Sequence, residues 1–173
     1  MIIAVWGLTG AGKNTLGKRI AEKLGYRLVS PTFKDLAEKE GIPLMELQRR
    51  AEKDHNIDKK FDELLKQEVA GGNCVVTTWL GPWMVDADVR IKIDVSEDER
   101  ARRISGRDNM SLEEALEHVK ERDENNRRRY YDVYGIDITD ESVFDVVLDG
   151  RKTPDELLDI SLKTIKKRGE KND

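Results

Sequence analysis

Residues 1–15 read Met-Ile-Ile-Ala-Val-Trp-Gly-Leu-Thr-Gly-Ala-Gly-Lys-Asn-Thr. Ile2 to Trp6 is a short continuous apolar run, the pattern of a strand buried on both faces. Gly7-Leu8-Thr9-Gly10-Ala11-Gly12-Lys13 then fits G-x-x-x-x-G-K, with Asn14 and Thr15 following. The glycines let the backbone curl so that successive amides face one anion. A helix must follow, because Leu16, Ile20 and Leu24 recur four apart and Gly25 stops the pattern. Its positive dipole end adds to the cradle, and Lys13 places a point charge on the β and γ phosphates. Strand, loop and helix together imply a nucleotide phosphate site formed by Gly7, Leu8, Thr9, Gly10, Ala11, Gly12, Lys13, Asn14 and Thr15. Asn14 stands where a serine or threonine commonly meets magnesium, which leaves the Thr15 hydroxyl as the metal candidate.

Outward from this loop, further strands are expected at Tyr26–Val29, Cys74–Thr78, Val89–Val95 and Phe144–Leu148. Residues 32–71 read as helical and heavily charged, with a break near Gly41 to Pro43. Ser96 with Glu99, Ser111 with Glu114 and Thr153 with Glu156 are capping boxes that open later helices. Strands alternating with helices imply an α/β fold: a five-stranded parallel sheet with helices on both faces. The tail from Lys166 is polar and expected to fray.

The chain has 173 residues, a net charge of −4 and charged residues of both signs at 38%. One domain spanning 1–173 is expected, and a general nucleic-acid binder is disfavoured without a basic excess. The one cysteine, Cys74, excludes an internal disulfide and is read as a small buried residue. No apolar stretch approaches a membrane span, and no signal pattern opens the chain, so a cytoplasmic protein without membrane partners is expected. His55 and His118 stand alone, without partners at metal-ligand spacing, and are expected at the surface.

Several segments beyond the loop resemble the archaeal-type cytidylate kinases, a branch of the P-loop nucleoside monophosphate kinases. They are Trp83-Met84-Val85, Arg103-Ile104-Ser105-Gly106-Arg107, Ser111 to Leu116, Arg122 with Arg127 to Tyr130, and Tyr134-Gly135-Ile136-Asp137. The resemblance implies a three-layer P-loop kinase fold with helical insertions, an acceptor-binding region about 31–72 and a lid about 103–130. It implies ATP as phosphoryl donor, Mg2+ as the accompanying ion, and CMP or dCMP as acceptor. A monomer acting on small-molecule nucleotides is expected. Arg107, Arg122 and Arg129 match positions where the family keeps arginines, and with Lys13 they are the catalytic candidates. Arg122 and Arg129, seven apart, share one face if the helix from Ser111 reaches them. Asp58 and Asp62 match the family's carboxylates and could accept from the cytosine amino group, although aspartates four apart on a charged helix ordinarily stay solvated.

Three places depart from the family pattern: Asn14, Ser30 to Asp35, and Thr77-Thr78-Trp79, where an acidic residue and an arginine for the acceptor phosphate are typical. Arg49 and Arg50 lie in the acceptor region as replacements. Packing is the expected role of Trp79 and Trp83, with base stacking the alternative. A kinase for another small acceptor, or a nucleotide-binding module without catalysis, are the alternative functions.

Overall fold

The fold is seen in a computed structural model that describes residues 1–51 and 53–172. Glu52 and Asp173 lie outside the described residues. Five parallel strands form the sheet: β1 Ile2–Trp6, β2 Arg27–Val29, β3 Cys74–Val76, β4 Val89–Asp94 and β5 Val146–Asp149. Their spatial order is β2-β3-β1-β4-β5. The apolar run at the N-terminus therefore becomes the central strand, with Ile3 opposite both Val75 and Val89.

Alternation along β1 feeds two cores. Ile3 and Val5 pack with Ile20 of α1 (Lys13–Leu24) and Ile165 of α8 (Pro154–Asn172). Ala4 faces the other way, against Leu65 and Val69 of α4 (Asn56–Val69). The remaining helices are α2 (Phe33–Glu40), α3 (Leu44–Ala51), α5 (Gly81–Met84), α6 (Glu97–Asp108) and α7 (Leu112–Tyr134). Thus α2 to α4 join β2 to β3, and the α6–α7 hairpin joins β4 to β5. Among the described residues no helix is long and apolar enough to cross a membrane.

Several boundaries differ from the pattern-based expectation for physical reasons. β2 starts at Arg27 because the Tyr26 amide donates to Ala21 O, 2.9 Å away, and closes α1 around left-handed Gly25. β5 starts at Val146 because Phe144 closes a short 3-10 turn on Glu141 O. The polar tail does not fray at Lys166; α8 continues through Asn172. The Ser111–Glu114 and Thr153–Glu156 boxes form, and at Ser96 the side chain accepts from the Glu99 amide. A fourth box, Thr32 with Asp35, opens α2.

Candidate active site

The loop from Gly7 to Gly12 leaves the C-terminal end of the central strand, the edge at which open α/β sheets bind ligands. Gly10 and Gly12 have φ of 80° and 95°, conformations that an L side chain resists. A Cβ on Gly10 would also lie 3.0 Å from Arg100 O and from Ile104 Cδ1, so the loop is seated directly on α6. α1 opens at Gly12 with no side-chain cap and no acidic residue in its first turn. By contrast α2, α6 and α7 are each capped by a hydroxyl. The amides at the start of α1 are left for a phosphate.

Three recesses meet at this loop. Above it is a cradle of about 240 Å³ lined by Gly10, Gly12, Lys13, Asn14, Thr15, Arg103, Ile104 and Arg107. On one side lies a groove of about 250 Å³, bounded by Thr15, Leu16, Arg19 and Arg103 and by Gly150, Lys152, Pro154 and Leu157. Arg103 holds one wall of it in place, donating to Gly150 O at 2.8 Å. On the other side opens a cleft of about 520 Å³ that shares Lys13 and Asn14 with the cradle. Its cations are Lys13, Lys34 and Arg122, and Asp58, Asp62, Phe33 and Phe61 also line it.

Lys13 is flanked by other cations. Burial, then the charge of Arg122, push its pKa down to about 8, with Arg107 adding to the effect and Asp123 opposing it. Its ammonium stands 5.4 Å from the centre of the Trp79 ring. Trp79 is itself fixed, because the Trp6 indole N–H donates to its carbonyl at 2.9 Å and the two rings meet edge to face. Trp79 thus packs, as expected, and also lines the cleft. Thr77 donates to the Ser30 hydroxyl at 3.0 Å, and the buried hydroxyl of Thr78, the next residue, has no hydrogen-bond partner among the described residues.

Asp58 and Asp62 are not solvated, as their sequence pattern suggested; they are 5% and 6% exposed. Their buried face turns to α7. Arg129 grips Asp58 through both Nε, at 3.1 Å, and a terminal nitrogen, and Tyr134 O–H donates to Asp62. Burial, then the neighbouring Asp58 charge, push Asp62 up from 3.8 to about 7. Phe33 and Phe61 stack with centres 5.4 Å apart at 9°, and Arg129 lies over Phe33.

The structure separates the candidate arginines. The helix from Ser111 does reach both Arg122 and Arg129, but only Arg122 lines the large cleft. Arg129 lines an adjoining recess with His118 and Trp79, and is committed to Asp58. His118 is half-buried along this recess, and His55 is exposed. Arg107 overhangs the phosphate cradle from the end of α6, paired with Asp108. Arg49 does not join the site: it is 70% exposed on α3 and pairs with Glu46, as does Arg50. Helix α3 turns that face outward, since Leu47 and Ala51 take its inner side.

Sequence reading missed Arg100 and Asp123. Arg100, 4% exposed, donates to Thr9 O at 3.0 Å and to Asp123 at 2.6 Å, and Asp123 in turn accepts from the Thr9 amide at 3.1 Å. Nothing in their local sequence separates them from the many surface charges of α6 and α7.

The cytidylate kinase-like family profile matches residues 2–152. This chain belongs to the cytidylate kinase-like family. A cytidylate kinase of Pyrobaculum islandicum is 45% identical over 153 residues, 86% of this chain and 83% of that protein. One of Sulfurisphaera tokodaii is 38% identical over 163 residues, 91% of each chain. Among solved structures, a shikimate kinase of Bacteroides thetaiotaomicron superposes with a TM-score of 0.64 at 16% identity, over 96% of this chain and 98% of that one. That likeness shows the P-loop kinase fold. In the cytidylate kinase-like family, then, this chain carries the sheet, loop and helical insertions that its sequence implied.

Proposed function

We propose that this protein transfers the γ-phosphoryl group of ATP to CMP or dCMP, forming ADP and CDP or dCDP. The observation that carries the reading is the run of three connected recesses with the phosphate loop in the middle. The groove between Arg103 and Pro154 takes the adenosine, against Leu16 and Leu157. The cradle of loop amides, Lys13, Arg103 and Arg107 takes the triphosphate. The large cleft takes the acceptor, with its phosphate towards Lys13, Lys34 and Arg122 and its base towards Asp58 and Asp62. Family membership, with curated cytidylate kinases at 38–45% identity, supports a cytidine acceptor.

The chemistry asks the protein chiefly to align two phosphates and offset their charge. Lys13 bridges the two halves, because it lines both the cradle and the cleft. Arg122 enters none of the ion pairs among the described residues and is available to the transferring group; Arg107 closes over it from α6. On this reading α2 to α4 form the acceptor-binding region and the α6–α7 hairpin is the lid, whose closure excludes water as a competing acceptor. Asp62 accepts from the exocyclic amine of the base, which a uracil lacks.

Magnesium accompanies ATP in such reactions. Among the oxygens that line the two recesses with Lys13 are the hard, neutral ones of Asn14, Thr15, Ser30 and Thr77, while Asp123, whose charge reaches Lys13, is committed to Arg100 and the Thr9 amide. Among the described residues no three His, Cys, Asp or Glu side chains gather as a metal cage. This set fits an ion that arrives on the phosphates and keeps most of its waters, held from the protein side by Thr15 and Asn14. Bound there, it would neutralise charge on the β and γ phosphates.

The test is ADP release measured across a panel of nucleoside monophosphates. CMP-dependent turnover that disappears in Lys13→Ala is the expected result. ATP binding with no monophosphate-dependent ADP would refute the reading.

A further inference from the structure

Thr9 lies in the phosphate loop, yet its buried side-chain hydroxyl has no hydrogen-bond partner among the described residues. The residue is held instead through both sides of its backbone. Arg100 of α6 takes its carbonyl and Asp123 of α7 takes its amide, and Arg100 and Asp123 bind each other at 2.6 Å. Arg100 also donates to Val95 O at 3.1 Å, which ties the cluster to the end of β4. The ring of contacts joins loop, strand end and both helices of the hairpin at its base. Further along α6 the hold on the loop loosens to Ile104 against Gly10 and a 3.4 Å bond from Arg103 to Ala11 O, and at its end the Arg107 side chain is 68% exposed.

Asp123 directly follows Arg122. Consecutive residues on an α-helix differ by about 100° in direction, so fixing one fixes the other. With Asp123 held on the Thr9 amide, α7 cannot rotate without breaking a charged, buried contact. The side chain thereby aimed into the cleft is Arg122, whose charge is felt by Lys13.

We propose that Asp123, with Arg100, is a positioning residue: it clamps the Thr9 peptide and sets the rotation of α7 that delivers Arg122 to the transferring phosphoryl group. The inference rests on the phosphotransfer reading above. The clamp costs the enzyme a buried charge pair, whose net contribution to stability is small when both partners are replaced together. Its effect is expected in catalysis.

The experiment compares kcat and KM of wild type, Asp123→Asn, Arg122→Ala and the double variant, with CMP and ATP as substrates. Asp123→Asn is expected to lower kcat about 10–100-fold, the scale of a small misplacement of a reacting group, with KM for ATP little changed. The double variant is expected to be no slower than Arg122→Ala alone, because Asp123 acts through Arg122. Multiplicative losses, or an unchanged kcat in Asp123→Asn, would overturn the proposal. If Asp123→Asn fails to fold with Arg100 left unpaired, Arg100→Met with Asp123→Leu removes the pair as a unit. That variant is expected to melt near wild type and to show the same kcat loss; wild-type kcat in it overturns the positioning role. Wild-type turnover of CMP is measured first on the same preparation. Its absence overturns the phosphotransfer reading and this inference together, while its presence alongside unaffected variants overturns this inference alone.

Discussion

Arg129 of α7 and Asp58 of α4 form a two-pronged ion pair, 71 residues apart in the chain, with Nε 3.1 Å from Oδ2. Together with the Tyr134–Asp62 hydrogen bond, it ties α7 to α4. Asp58 is 5% exposed, so Arg129→Ala leaves a buried carboxylate without its cation. The expected cost is about 1.5–3 kcal/mol, typical of a hydrogen bond to a charged group. Adding Asp58→Asn to Arg129→Ala should recover part of it. Chemical denaturation of the two single variants and the double variant checks this; strict additivity would mean that the pair does not act as one.

Asp62 gives stability a pH dependence with a defined sign. Its carboxyl is pushed up to about 7 from 3.8, first by burial and then by the Asp58 charge. Between those values the folded protein holds a proton that the unfolded chain has released. Stability from this group is therefore fully present below about pH 4, declines as pH rises, and levels off above about pH 7. The difference in stability between wild type and Asp62→Asn, followed from pH 4 to 8, should fall across that window. A flat difference would contradict the burial argument.

Lys13 titrates near pH 8 in the free protein because it is buried beside Arg122 and Arg107. A bound triphosphate supplies the missing negative charge and restores the protonated form. ATP binding at pH 8 should therefore take up a fraction of a proton that Lys13→Met does not. Calorimetric titrations in buffers of different ionisation enthalpy measure the uptake directly.

Gly17 of α1 is required by its neighbour. A Cβ at this position would stand 2.2 Å from Thr77 Cγ2, in the buried seam between α1 and the end of β3. Gly17→Ala should destabilise by about 1–3 kcal/mol, the usual cost of overpacking. Thr77→Ser removes the offending methyl and keeps the hydroxyl that bonds Ser30, so the double variant should regain most of the loss. Thermal melts of the three proteins decide it.

The sheet and the phosphate cradle were legible because their signals are local. A continuous apolar run, a glycine loop with a lysine, and a 3.6-period stripe each state their own structure. Asp58 and Asp62 were not legible as buried groups, since their partners Arg129 and Tyr134 lie more than 70 residues away. Separation along the chain also hid Asp123 and Arg100, 114 and 91 residues from Thr9, whose charges look like those of any solvated helix face until the fold brings Thr9 to them. Arg49 illustrates the converse: sequence position alone did not show that its side chain lies on the outward face of α3, paired with Glu46. Which way α3 turns is decided by Leu47 and Ala51 packing on Leu36 and Ile57, a matter of tertiary contact.

The aromatic cluster behind the phosphate loop has an optical consequence. The chain has three tryptophans, and all of them, Trp6, Trp79 and Trp83, belong to that one cluster. Trp79 faces the ammonium of Lys13 and the cleft of about 520 Å³, while Trp6 touches both of the other indoles. Tryptophan emission from this protein therefore originates from one cluster, directly behind the phosphate loop. The native chain is its own unlabelled fluorescent probe, in which donor and acceptor occupancy can be followed separately by titrating one nucleotide at a time.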